Sequence, residues 1–385
     1  MERRNFLKVG AAGLAAAPAA PSKRYRAAVI GHTGRGDYGH GWDTAWNGFD
    51  SIEVAAVADP DDVGRQAAMK RSGAQRSYRD YREMLRKERP NLVSIGPRWT
   101  DQRLEMVRAA AEAGAHILIE KPFAANLADA DAMVAAVERN NVKLQVGHQM
   151  RTAPGVRVVR DLVLGGEVGV LQEVRARGKE DRRAGGQDLI VLGVHVVDVM
   201  RIVLGDPRWA FAHVTHDGKE IDRKHVKEAS EAIGPIAGNQ IAAMFAFDGG
   251  VHAYFGSKAN PRTHLNRFGY YFYGSDGVIY MPNAYESQPY ILRSPAWMPD
   301  EQHRWQRIDL PSHPGGENDA GGPEFANARL VRNLLEAIEQ KRDSLCGARD
   351  GRWTVEMVVS IYQSQKTGAR VEFPLKDRRH PLETL

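Results

Sequence analysis

Between residues 26 and 146 the chain alternates short apolar runs with longer stretches of helical spacing, and this alternation restricts the fold more than any other feature. The apolar runs are Arg26 to Ile30, Ile52 to Ala58, Asn91 to Ile95, His116 to Ile119 and Lys143 to Val146. Helical periodicity fills the gaps over Val63 to Lys70, Tyr78 to Lys87, Asp101 to Ala113 and Leu127 to Asn140. A strand covered on one face alternates apolar and polar residues, whereas these runs are nearly continuous and so are covered on both faces. Such strands, each separated by a helix, form βαβ units in a parallel sheet.

The first run stops at a glycine cluster, Gly31-His32-Thr33-Gly34-Arg35-Gly36, which continues through Gly39 and Gly41. Bare backbone between a first strand and the next helix lets a pyrophosphate reach main-chain amides, so these six residues are expected to hold a dinucleotide. The spacing is irregular. Thr33 stands at the usual second glycine when counting starts at Gly31, while Gly34 to Gly39 satisfies G-x-G-x-x-G three residues late. Asp59, ending the second run, is the expected acceptor for a ribose hydroxyl pair, and its charge favours NAD over NADP. The alternative is that Asp59-Pro60 only caps the following turn. The expected unit is a Rossmann domain over residues 24–148.

Two further segments are more specific. Glu120-Lys121-Pro122-Phe123-Ala124 follows a buried run, and Gly193-Val194-His195-Val196-Val197-Asp198 lies in an apolar helical stretch. With the glycine turn they resemble the Gfo/Idh/MocA family of sugar and polyol oxidoreductases. Val146-Gly147-His148-Gln149-Met150-Arg151, the Gly165 to Gly169 turn, and the tail from Gly347 to Trp353 and on to Pro374 extend the likeness from Tyr25 to Leu375. The resemblance implies a lysine beside the nicotinamide and the substrate hydroxyl, here Lys121, with Glu120 next to it at the cofactor. It also implies a histidine acting as acid and base, here His195. The chemistry suits the residues: oxidising a secondary alcohol needs a base for the hydroxyl proton, and histidine titrates nearest neutrality while a buried lysine can polarise oxygen. A lone histidine on an apolar helix otherwise reads as a core residue.

One departure stands out. Many members place an aspartate four residues before this histidine, where this chain has Val191. The nearest upstream acid, Asp188, is too far along a helix to hydrogen-bond His195, although both could touch one ligand; alternatively it is a first-turn acid favoured by the helix dipole. Arg151, Lys179 and Asp188 are the candidate substrate residues. The charged stretch Lys179 to Arg183 is either a solvated loop or a sugar-binding rim.

Beyond Leu171, runs at Gln240 to Phe247, Val251 to Ser257, Phe268 to Tyr273 and Gly277 to Met281 are joined by glycine-rich turns, a hairpin pattern. The expected fold is therefore an α/β N-terminal Rossmann domain plus an α+β C-terminal domain, residues 149–375, with an open-faced, mostly antiparallel sheet. A tail covers residues 376–385. The family implies a homodimer or homotetramer through that open face, and the C-terminal helix is expected to pack back toward the first domain. Residues 284 to 322 read as an extended loop insertion, in which Trp297, His303 and Trp305 either stack on sugar rings or serve an interface or the core.

Residues 1–20 read as an address. Arg3-Arg4-Asn5-Phe6-Leu7-Lys8, then a bland run to Ala17-Pro18-Ala19, resembles a twin-arginine signal and implies the export machinery as a partner and a periplasmic or other extracytoplasmic location. The single cysteine, Cys346, excludes an intramolecular disulfide framework. No metal site is read from the sequence, since His313 and Glu317 do not make one. A net charge of +5 without basic runs interleaved with aromatics argues against nucleic acid, and no apolar stretch is long enough for a membrane span. The leading expectation is an exported NAD-dependent oxidoreductase acting on a secondary alcohol of a sugar, polyol or glycoside, with tightly bound cofactor. Alternatives are a redox-neutral glycosidase, lyase or epimerase using bound NAD, and a sugar-binding protein on the same fold.

Overall fold

The computed structural model describes residues 25–258, 267–282, 288–311 and 323–385. The proposed leader, His313 and Glu317 lie outside the described residues. Six parallel strands form the first sheet in the order β3-β2-β1-β4-β5-β6. They are β1 (Tyr25–Ile30), β2 (Ile52–Ala58), β3 (Arg76–Tyr78), β4 (Leu92–Ile95), β5 (His116–Ile119) and β6 (Leu144–Val146). The strand order reverses between β1 and β4, which places a ligand crevice at their carboxyl ends.

The crossover helices begin where short polar side chains can cap them. Asp61 caps α1 (Asp62–Ser72), Asp80 caps α2 (Tyr81–Glu88) and Asn126 caps α4 (Leu127–Arg139), each accepting from a first-turn amide; α3 (Arg103–Glu112) lies between the last two. The helix expected straight after the glycine cluster is absent; residues 33–48 form successive turns. Gly34, Gly36, Gly39, Gly41 and Gly48 all have positive φ, as does Asp37, and a right-handed helix cannot propagate through such residues. The sheet face left bare is covered from far along the chain. Leu330, Val331 and Leu334 of the helix Pro323–Glu339 pack with Trp42 and Trp46 against Ala27 and Val29 of β1.

The second sheet has ten strands, antiparallel except where Leu171–Arg177 pairs in parallel with His252–Lys258. Trp209–His216 alternates buried and exposed residues, so one face is packed and the other is open. Helices Pro154–Leu164 and Val194–Leu204 cover the packed face. Helix Ala348–Thr367 sits between the two sheets: Val355 and Val359 join the first core, Met357, Val358 and Ile361 the second. The expected insertion contributes two further strands, Tyr290–Leu292 and Gln306–Arg307, to the sheet's edge. There the Trp297 indole donates to the Gly274 carbonyl at 2.7 Å and its ring packs on Tyr273, while His303 pairs with Asp300. No described helix is long and apolar enough to cross a membrane.

Candidate active site

Two buried carboxylates pin the glycine segment to the sheet. Asp59, at the end of β2, accepts from the Thr33 amide, from Thr33 Oγ1 at 2.8 Å and from the Asp61 amide at 2.9 Å. Glu120, at the end of β5, accepts from the His40 amide at 3.1 Å, from His40 Nδ1 at 2.9 Å and from the Trp42 indole. Burial alone would raise the Glu120 pKa, but His40, Lys121 and Trp42 together hold it down at about 2. A glycine is required at position 36, where a Cβ would lie 2.4 Å from the Arg98 nitrogen and 2.7 Å from that of Trp99. The β4–α3 connection therefore meets this turn backbone to backbone.

The arrangement gives Asp59 a structural role beside the one read from the sequence. It lines a cavity but is fully buried, with its carboxylate turned inward onto Thr33 and Asp61. It acts first as a staple for the glycine turn, and Glu120 staples the following residues to the end of β5 in the same way. Gly34 donates to the exposed Asp37 carboxylate at 2.8 Å, His32 Nδ1 faces Gln102 Oε1 at 2.8 Å, and Arg35 lies over the Trp99 ring and pairs with Asp101.

The cavity encloses 260 Å³ at the ends of β1 and β2, with Gly31, His32, Asp59, Arg79, Asp80 and Gln102 on its walls. Its place beside the β1/β4 crevice and the close glycine backbone fit the adenosine end of a dinucleotide. At the other end of the crevice, Lys121 follows β5. The residue is 5% exposed, and its ammonium donates to the backbone carbonyl of Val191 at 3.1 Å. Burial lowers the Lys121 pKa, partly opposed by Glu120 and Glu231 and helped by Arg98 and Arg183.

Val191 belongs to a π-turn, Leu189–Gly193, that leads into the helix carrying His195. Such a turn shifts the carbonyls out of the regular ladder and recurs at functional sites. His195 is fully buried, and its Nδ1 lies 3.3 Å from Nδ1 of His148, the rings meeting edge to face. Burial brings the His148 pKa down to about 4 and that of His195 well below the ordinary value, with His148 and Lys121 adding to the latter. Lys121 and His195 are thus brought together, and His148 joins them.

The substrate residues read from the sequence are placed differently. Arg151 is buried in a two-pronged pair with Asp198, both contacts at 2.7 Å, and also reaches Leu345 and Asp350. It ties the His195 helix to helix Ala348–Thr367 and is not presented to a substrate. His148, Asp198 and Cys346 lie within 4.8 Å of one another, but Arg151 already engages both Asp198 oxygens. Asp188 is also internal, accepting from Ser257 Oγ at 2.6 Å and from the Lys179 and Glu180 amides. Burial raises its pKa. Position 178 must be glycine, since a Cβ there would lie 2.0 Å from Asp188 Oδ2. Of the three, only Lys179 stays at the rim, half-buried near Asp181.

Sequence reasoning missed His148, although its motif is among those that carry the resemblance, and it missed a strap over residues 221–238. Ala229, Ile233 and Ile236 of the strap cover Ile190 and Val191, and Thr100 of the first domain donates to the Ala232 carbonyl at 3.3 Å. The strap packs on the π-turn whose Val191 carbonyl holds Lys121, and the charge of its Glu231 opposes the lowering of the Lys121 pKa. Nothing in its polar composition marks this role.

The family model of an oxidoreductase NAD-binding Rossmann fold matches residues 25–148, and that of the same family's C-terminal alpha/beta domain matches residues 171–373. Among curated relatives, D-apiose dehydrogenase of Paraburkholderia graminis is 34% identical over 194 residues, 48% of this chain and 51% of that protein. Levoglucosan dehydrogenase of Pseudarthrobacter phenanthrenivorans is 24% identical over 355 residues, 84% of this chain and 89% of that protein. The chain spans about half the length of the first curated relatives it matches. An NAD-binding oxidoreductase from Klebsiella pneumoniae has the same fold, with a TM-score of 0.75 at 20% identity over 92% of this chain and 100% of its own.

Proposed function

The chain belongs to the Gfo/Idh/MocA oxidoreductase family, and from that premise we propose that it oxidises a secondary alcohol of a sugar, polyol or glycoside, or reduces the matching ketone, with a nicotinamide dinucleotide. The observation that carries this reading is the convergence of two buried groups of lowered pKa, Lys121 and His195, at the end of β5 opposite the π-turn. A nicotinamide dinucleotide held at Gly31, His32 and the following glycine turn would supply the hydride acceptor for the carbinol carbon. Lys121 Nζ binds and polarises the hydroxyl oxygen. His195, neutral at neutral pH, takes the hydroxyl proton, and His148 fixes the ring through the contact between the two Nδ1 atoms. The strap keeps water from the site. Sugar dehydrogenases among the relatives support the substrate class.

NAD over NADP rests on two carboxylates, Asp59 and Asp80, against the single guanidinium of Arg79 around the cavity. Export rests on the Arg3-Arg4 segment alone. Self-association rests on the open sheet face, where Phe211 and Tyr254 are exposed.

The test is mass spectrometry of the purified protein for bound nucleotide, followed by a sugar and glycoside panel monitored at the reduced-nicotinamide absorbance. Reduced cofactor formed in step with substrate oxidation supports the reading. Product without net reduction identifies redox-neutral turnover. A protein that binds sugars but never reduces cofactor would be a binding protein instead.

A further inference from the structure

A second cavity, of 580 Å³, opens where the strap meets the segment Arg182 to Gln187 that precedes the π-turn. Arg182, Arg183, Lys224, Lys227 and the paired rings of His216 and His225 line it, and Glu231 is its only acid. It adjoins the reaction centre, because its wall residue Ile236 packs with Val191, the residue whose carbonyl accepts from the Lys121 ammonium at 3.1 Å. The cations differ in how they are neutralised. Arg183 is held by Asp181 at 2.6 Å, Asp222 holds both Lys224 at 3.1 Å and His225 at 2.8 Å, and Asp217 lies 3.9 Å from His216 Nε2. Arg182 and Lys227 are exposed and have no carboxylate partner among the described residues. His216 Nδ1 is buried there without a hydrogen-bond partner. The walls thus offer donors in excess of acceptors, beside a centre that already holds the Lys121 ammonium.

Neutral sugar hydroxyls call for mixed donors and acceptors, whereas this surplus of donors matches an anion. We propose that this cavity receives the anionic group of the substrate, so that the protein acts on an acidic carbohydrate: a sugar bearing a carboxylate, sulfate or phosphate. The proposal rests on the oxidoreductase reading for its chemistry but not for its binding.

The test uses the full protein with nucleotide and three matched pairs: glucose, galactose and mannose against their uronic acids. Glucose 6-sulfate and glucose 6-phosphate serve as separate arms that identify the anion. The acidic member is expected to exceed its neutral parent at least ~10-fold in kcat/KM, mostly through KM, with the ratio shrinking as salt rises. The Arg182→Gln/Lys227→Gln variant should bring that ratio toward unity. Neutral parents equal to or better than every charged form, or a ratio unchanged in the variant, would overturn the proposal. If no sugar reduces the cofactor, the oxidoreductase reading fails by itself. Calorimetric titration with glucuronate, glucose 6-sulfate and glucose 6-phosphate then decides: affinity for one of them lost in the variant sustains the anion site, and equal or absent binding removes it.

Discussion

The ammonium of Lys121 donates to the main-chain carbonyl of Val191 at 3.1 Å, joining the end of β5 to the π-turn that precedes His195. Val191 occupies the position where the family resemblance implies an aspartate, and its side chain packs into an apolar cluster with Ile190, Ile233 and Ile236. The chain therefore meets Lys121 with a backbone oxygen, which cannot titrate, where a carboxylate would add a full negative charge. With burial dominating, Lys121 stays on the lowered side of its ordinary pKa. A lowered pKa makes the Lys121 ammonium a readier proton donor than an exposed lysine.

Removing this group should separate chemistry from binding. Lys121→Ala is expected to cut hydride transfer at least ~100-fold, the low end for losing a positioned acid, base or polarising group. Nucleotide affinity should change little, since the glycine turn is pinned by Asp59 and Glu120. His195→Ala should act similarly, and the double variant should lose far less than the product of the two, because both serve one event. Single-turnover kinetics measured beside nucleotide titration would reveal any multiplicative loss, which would place the two residues in separate steps.

The buried histidines make stability depend on pH. His148 and His380 are held at a pKa of about 4 by burial, and His195 is also lowered. From about pH 6.5 down to 4 the unfolded chain takes up protons that the folded chain refuses, so folding stability is full above that window and falls on acidification. Each histidine contributes up to ~1.4 kcal/mol per pH unit. Glu120 acts in a lower window: its contribution is present above about pH 4.5 and is lost toward its folded value of about 2. Urea titrations from pH 7 to 4 should show the decline, and His148→Gln should flatten it. A denaturation midpoint independent of pH across that range would refute this account.

Five strands of the parallel sheet were legible in the sequence because each is a local apolar run; the sixth, β3, is the polar Arg76-Ser77-Tyr78 and was missed, with Tyr78 read into a helix that starts only at Tyr81. The missing first crossover helix was legible in principle, since four glycines within Gly34 to Gly41 each weaken a helix, and the structure turns all four to positive φ. What a local pattern could not supply was partnership at long range. Arg151 looks like a site residue until Asp198, 47 positions away, takes both sides of its guanidinium. Asp188 is explained by Ser257, 69 positions away on a strand, and by the Lys179 and Glu180 amides, and Glu231 only by a strap whose apolar residues are too few to show periodicity. Lys121 and His195 were legible through motif resemblance, but the link through the Val191 backbone leaves no side-chain signature.

Arg151 should matter for stability and not for substrate affinity. Arg151→Met leaves the Asp198 carboxylate buried without its partner, a change that costs about 3–5 kcal/mol. Arg151→Met combined with Asp198→Leu should recover much of that loss, because apolar side chains can replace a buried pair. Thermal denaturation measures both. A single variant that folds normally and only raises KM would return Arg151 to the substrate site.

Asp59 is expected to carry two separable effects. Its carboxylate binds Thr33 and Asp61 in the free protein, so Asp59→Ser should lower the melting temperature before any nucleotide is added. The cost of leaving such buried donors unmet is ~1–3 kcal/mol. Its charge also stands, with Asp80, on the wall of the cavity assigned to the adenosine end. A 2′-phosphate there would meet two carboxylates, so NAD should bind more tightly than NADP and Asp59→Ser should narrow the gap. Thr33→Val separates these roles: it removes the hydroxyl donor while leaving the Asp59 charge in place. That variant should reproduce some of the thermal loss and leave the NAD to NADP ratio unaltered. Equal shifts of the ratio in both variants would mean that Asp59 acts on cofactor choice only by shaping the glycine turn, as its inward-facing carboxylate would then require.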